Sequence, residues 1–118
     1  MTFEEFMKTT PRTIKLLGDN EKDIQHSLYG MLTELAEVID LYKKKLAYGK
    51  NFSIEQLEDE TGDLFYYLSA FIHAAKLDPS RILDKNFEKL LIRFPDGFDA
   101  QKAINPNKAA EMTVFSKL

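Results

Sequence analysis

The chain has 118 residues, a formal net charge of −3, an apolar fraction of 44% and no cysteine. That length suits one domain with a modest core, because such a chain buries roughly two-thirds of the surface it exposes when unfolded. The missing cysteines exclude a disulfide framework and a thiolate zinc site. The acidic balance, with Lys43-Lys44-Lys45 as the dense basic cluster, argues against stable nucleic-acid binding.

The N-terminus, MTFEEFMKTT, begins with acids and lacks the apolar core of a secretion signal. No apolar run is long enough to span a bilayer, so the expected setting is the cytoplasm, away from membrane. Thr2 and Glu5 have the spacing of a capping box, which starts a short first helix that TTPRT ends. Asp19 or Asn20 can cap a long second helix, which runs to about Tyr48 with lysines in its last turns and Gly49 beyond. Ser53 with Gln56 is a second capping box and opens a third helix, to about Lys76. Asp78 then caps a fourth helix with Pro79 at its first position, and RFPDGF supplies the turn that stops it. Past Phe98 the periodicity weakens into either one short helix or a tail packed on a neighbour.

Three of these helices carry apolar stripes. The second has Ile24, Leu28, Met31, Leu35, Ile39, Tyr42 and Leu46 on one face. The third has Leu57, Leu64, Leu68, Phe71 and Ala75, and the fourth has Ile82, Leu83, Phe87, Leu90, Leu91 and Phe94. Short loops between long helices predict an all-α antiparallel bundle of about four main helices. The reading is one domain over 1–118, with a core at about 20–98 and a C-terminal tail at about 99–118. Helices this broadly apolar in so small a chain also predict a surface covered by a second copy, as a dimer or higher oligomer.

The acids are the informative residues. Glu34 and Glu37 lie three apart on the second helix, and Glu60 and Asp63 do the same on the third. At about 100° per residue the first pair flanks the Leu35 stripe, on a second stripe that holds His26, Gly30, Leu41 and Tyr48. Glu60 falls inside the arc of Leu57, Leu64 and Phe71, and Asp63 sits at its edge near Tyr67. A carboxylate inside an apolar arc is costly to bury unpaired, and close carboxylates repel. Four converging acids therefore call for a counter-charge. A divalent cation answers economically, since Mg²⁺ takes oxygen ligands and keeps waters open to substrate phosphates. Against this stands the plainer reading, because glutamates at this spacing are common on solvated helices.

The pattern Glu34-x-x-Glu37 followed by Glu60-x-x-Asp63 resembles the signature of the MazG-like, all-α nucleoside triphosphate pyrophosphohydrolases. HSLYGMLTELAEVIDLYKKKLAYGK is similar to that family's second-helix region, and LEDETGDLFYYL to its third-helix motif. NFEKLLIRFPDGFDAQKAIN resembles its closing segment, so the likeness covers roughly residues 20 to 105. It implies a helical bundle acting as a homodimer or homotetramer. It implies Mg²⁺-dependent hydrolysis, with Mn²⁺ as the substitute ion, of a nucleoside or deoxynucleoside triphosphate to the monophosphate and pyrophosphate, in a nucleotide-clearing role. By motif position Glu34, Glu37, Glu60 and Asp63 would be the metal ligands and catalytic acids, and one of them would orient or deprotonate water. Asn86, Lys89 and Arg93 match the closing motif and would neutralise the phosphate tail, which is what phosphoryl transfer needs most. Thr61 stands where many relatives have an acidic or small residue. The chain lacks the tryptophan that relatives often carry near the base, which leaves Tyr or Phe for that role.

His26 matches the family's histidine and is a candidate substrate contact, with a helix-surface role as the bland alternative. Tyr67, one turn past Asp63, either stacks on substrate or fills the core. His73 and the Lys43–45 run take the bland reading. Gly30 costs helix stability, about 1 kcal/mol relative to Ala, and so needs a local reason such as a close approach. Two rival functions stay open: the related phosphoribosyl-ATP pyrophosphohydrolases, and a non-catalytic nucleotide-binding or oligomerisation module.

Overall fold

The computed structural model describes residues 1–116, so the last two residues of the expected tail lie outside it. The described residues form α1 (Phe3–Met7), α2 (Asn20–Tyr48), α3 (Ile54–Ala74), α4 (Pro79–Arg93), α5 (Ala100–Ile104) and α6 (Lys108–Met112), with 3₁₀ turns at Thr10–Arg12 and Thr113–Ser116. The chain is thus all-α, with no strand among the described residues, and three helices are long, at 29, 21 and 15 residues. No described helix is long and apolar enough to cross a membrane. Two compact units are present, Met1–Leu77 and Asp78–Leu118.

The first unit is built on the α2–α3 hairpin. Asp19 opens α2 by accepting the backbone N–H of Glu21 at 2.8 Å and of Lys22 at 3.3 Å, which satisfies amides that the first turn leaves without partners. Gly49 closes it in the left-handed region, at φ 65°, and donates back to the Lys45 carbonyl. Ser53 and Gln56 form the expected reciprocal box at the start of α3. The loop between the two helices is too short for anything but an antiparallel return, and α2 and α3 pack along their length.

The face that α2 turns to α3 is a correction to the periodicity. Ser27 and Gly30 are buried, and Glu34, Val38 and Leu41 are half-buried, whereas the apolar stripe through Leu28, Leu35, Ile39 and Leu46 is exposed, Leu46 at 91%. The reason is steric. Small residues at 27 and 30 let α3 come close on their side, so the seam forms on the acid-bearing flank. The α3 stripe behaves as expected, with Leu57, Leu64, Leu68, Phe71 and Ala75 half-buried.

The N-terminal segment straps onto α3. Thr10 and Ser69 share a buried hydroxyl–hydroxyl hydrogen bond of 2.6 Å, Thr13 meets the Tyr66 hydroxyl at 2.8 Å, and His73 Nε2 donates to the Met7 carbonyl at 2.7 Å. His73 therefore has a structural role. Thr2 and Glu5 cap α1 as their spacing predicts, and its Met7 is buried.

In the second unit Asp78 caps α4, accepting from the backbone of Ser80 and Arg81, with Pro79 at the first position. The turn after α4 places Gly97 at φ 94°, a conformation that glycine adopts without strain. The segment beyond Phe98 is folded. Asp99 caps α5, Asn107 caps α6, and α6 with the following 3₁₀ turn packs on α4. The expected α4 stripe is again exposed, Leu83 at 65% and Phe87 at 64%.

Candidate functional site

Because the α2–α3 seam runs along the acid-bearing flank, it brings carboxylates from both helices together. Glu34, Glu60 and Asp63 each offer an oxygen, and these oxygens all lie within 4.8 Å of one another. Glu34 and Glu60 are half-buried and Asp63 is exposed, so the cluster opens outward. Glu37, the fourth acid of the expected set, is exposed and stands outside this group. Its charge still reaches both half-buried glutamates.

The electrostatics follow from the crowding. Burial pushes the Glu34 carboxyl above its ordinary range, and the charges of Asp63, Glu37 and Asp59 push it the same way. Burial likewise raises Glu60, helped by Glu37, Asp59, Asp63 and Glu34. Each therefore gains from a proton or a cation. Asp59 is the acid that motif spacing passed over. It belongs to neither pair, yet its charge acts on both half-buried glutamates, and its adjacency to Glu60 was the available signal.

Toward the start of α2 and the end of α3 the seam changes character. The Tyr67 ring lies over Gly30, where a Cβ on residue 30 would overlap it. The His26 ring meets Tyr67 edge-on at 6.1 Å between centroids, and Tyr66 does so at 5.2 Å. Beyond Tyr67 a cavity of about 220 Å³ opens beneath the N-terminal strap, lined by Ile14, Lys15, Asp23, His26, Ala70 and His73 among others. His26 is eight residues before Glu34 on the same helix, about 12 Å along the axis. So His26 and Tyr67, both singled out from the sequence, lie between the acids and this cavity.

Three candidates belong to the other unit. Asn86 and Lys89 are on α4, Asn86 exposed and Lys89 half-buried. Arg93 is engaged: its Nη2 donates to Glu111 Oε1 at 2.6 Å and its Nε to Oε2 at 3.3 Å. The Lys43–45 run is also accounted for locally. Lys43 and Lys44 pair with Asp40 at 3.1 and 2.7 Å, and Lys45 sits over the Phe52 ring. Comparison of the chain with protein-family models, with curated proteins and with solved structures found no match.

Proposed function

We propose that the chain is a nucleoside triphosphate pyrophosphohydrolase of the MazG-like kind, in which water attacks and the α–β phosphoanhydride bond breaks, giving the monophosphate and pyrophosphate. The observation that carries the reading is the convergence of Glu34, Glu60 and Asp63 from two helices into one oxygen cluster. Repulsion and burial leave that cluster in want of positive charge. Its donors are all hard carboxylate oxygens and one edge is exposed, which fits Mg²⁺, or Mn²⁺, with coordination left over for water and phosphate.

In this proposal Glu34, Glu60 and Asp63 hold the cation. The bound cation supplies charge neutralisation for the triphosphate and polarises its phosphorus–oxygen bonds. Glu37 stands outside the three-oxygen set, so a carboxylate oxygen of Glu37 is available to orient the attacking water and take its proton. Tyr67 and His26 line the way to the cavity beneath the strap, which has room for a planar base. Asn86 and Lys89 keep the phosphate role that the resemblance implies for them. The exposed apolar stripes of α2 and α4 support a homo-oligomer as the working form, because apolar surface of this extent on a monomer marks an interaction site.

The test is a panel of canonical and modified ribo- and deoxyribonucleoside triphosphates with Mg²⁺, followed for pyrophosphate and monophosphate. Release from at least one, abolished by EDTA and by Glu37→Ala in a folded variant, is expected. Absence of release from every member of the panel at micromolar protein sinks the proposal.

A further inference from the structure

Arg93 ends α4 with its guanidinium in a forked pair to Glu111, at 2.6 and 3.3 Å. Glu111 is 1% exposed and its helix α6 has no other buried side chain that is charged. Such a carboxylate is tolerated in the interior only while its counter-charge stays in place. The hydrogen bonds from Arg93 hold Glu111 below the ordinary carboxylate range, and the charges of Lys108 and Lys89 act in the same direction. Turning Arg93 toward a phosphate would strip Glu111 of both hydrogen bonds. The planar fork also matches the two carboxylate oxygens in a way that a lysine would not.

A second arginine acts at the opposite end of α4. Arg81 Nη2 donates to the Phe115 carbonyl at 2.8 Å. The C-terminal segment thus runs antiparallel to α4, and between its two attachments lies Val114, 1% exposed. We infer that Arg93 is a positioning residue that clamps α6 and the following turn onto α4, rather than a contact to the phosphate tail. The segment past Phe98, expected as one short helix or a tail, becomes an integral part of its unit, and Glu111 is the residue that makes Arg93 unavailable to substrate.

The experiment compares Arg93→Lys, Glu111→Gln, the charge-exchanged pair Arg93→Glu/Glu111→Arg, and Lys89→Ala in the full chain. Amide hydrogen exchange over residues 108–116 and thermal melting are the primary measurements. Binding of inorganic pyrophosphate with Mg²⁺, read as a melting shift, is the second. Only the kinetic arm, KM and kcat on a triphosphate that the panel identifies, rests on the hydrolase reading. A clamp predicts at least tenfold faster exchange over 108–116 in both conservative single variants, partial recovery in the exchanged pair, and pyrophosphate binding altered no more by Arg93→Lys than by Glu111→Gln. Unchanged exchange in both single variants overturns the clamp even if no substrate is ever found. A tenfold loss of pyrophosphate affinity, or a tenfold rise in KM, confined to Arg93→Lys restores the phosphate role. A tenfold gain of either affinity or kcat/KM in Glu111→Gln also overturns it, since Glu111 would then be an anion blocking a phosphate site.

Discussion

The ring of Tyr67 occupies the space that the Cβ of any other residue at position 30 would need, so Gly30 and Tyr67 are complementary parts of one close helix contact. This explains a glycine in the interior of a 29-residue helix. Replacing an interior helix glycine by alanine ordinarily stabilises, by about 1 kcal/mol. Here the overlap is with a half-buried aromatic ring, and overpacking costs about 1–3 kcal/mol. Gly30→Ala is therefore expected to lower the melting temperature by several degrees. Adding Tyr67→Leu should return part of the loss, which a double-mutant cycle on melting curves would reveal. A more stable Gly30→Ala would show that α2 and α3 do not approach as described.

The acid cluster predicts how cation and proton compete. Glu34 and Glu60 have carboxyls raised above the ordinary 4.5, so the folded state binds protons more readily than the unfolded chain. Their repulsion is absent below the unfolded value and fully present above the raised one. Stability from these two groups accordingly falls as pH rises through that window. Mg²⁺ should raise the melting temperature at neutral pH, and the gain should shrink as pH drops toward 4.5 and protons take the cation's place. Glu111 has the opposite sign. Its lowered carboxyl contributes stability above about 4.5 that is lost on further acidification. Melting curves at several pH values, with and without Mg²⁺, separate the two. A Mg²⁺ effect that persists undiminished in Glu34→Gln/Glu60→Gln would place the ion elsewhere.

Local chemistry made the helix ends legible in the sequence. The capping boxes of Thr2–Glu5 and Ser53–Gln56, the Asp19 and Asp78 caps, and Gly49 all act within four residues, and all stand where their spacing put them. Periodicity did less well, because it finds an apolar face without saying what covers it. It finds Leu28, Leu35 and Ile39 on one apolar face, whereas the α2–α3 seam follows the small residues Ser27 and Gly30. Two acid pairs on consecutive helices made a convergence of carboxylates legible, and Glu34, Glu60 and Asp63 do meet. The place of Glu37 outside that set was not legible: Glu34 is half-buried in the α2–α3 seam, whereas Glu37, one step along the helix, is exposed. Glu111 carried no local signal at all: a buried charge depends on a partner 18 residues away.

The exposed α2 stripe gives a sharp expectation about assembly. A charged residue at Ile39, 57% exposed in the single chain, would be nearly neutral to a monomer, within about ±0.5 kcal/mol. If a second copy covers the stripe, Ile39→Asp buries an unpaired charge in the interface and dissociates it. Sedimentation equilibrium should give a multiple of the 13.6 kDa chain mass for the unaltered protein and a lower multiple for the variant. A monomer at all concentrations for the unaltered protein would remove the oligomer from the proposal.

Finally, the strap that roofs the cavity depends on a buried polar contact. Thr10 and Ser69 are both nearly inaccessible, at 1% and 0% exposure, and satisfy each other across a 2.6 Å hydrogen bond. Ser69→Ala leaves the Thr10 hydroxyl buried without that partner, and the expected loss is about 1–3 kcal/mol in urea unfolding. Thr10→Val added to Ser69→Ala removes the stranded hydroxyl at nearly constant volume, so the double variant should be more stable than Ser69→Ala alone. Simple additivity of the two losses would instead mean that each hydroxyl has its own independent partner. The same pair tests the cavity. If the N-terminal strap forms its roof, Ser69→Ala should weaken the binding of a triphosphate that the panel identifies more than it weakens the binding of inorganic pyrophosphate, which has no base to place there.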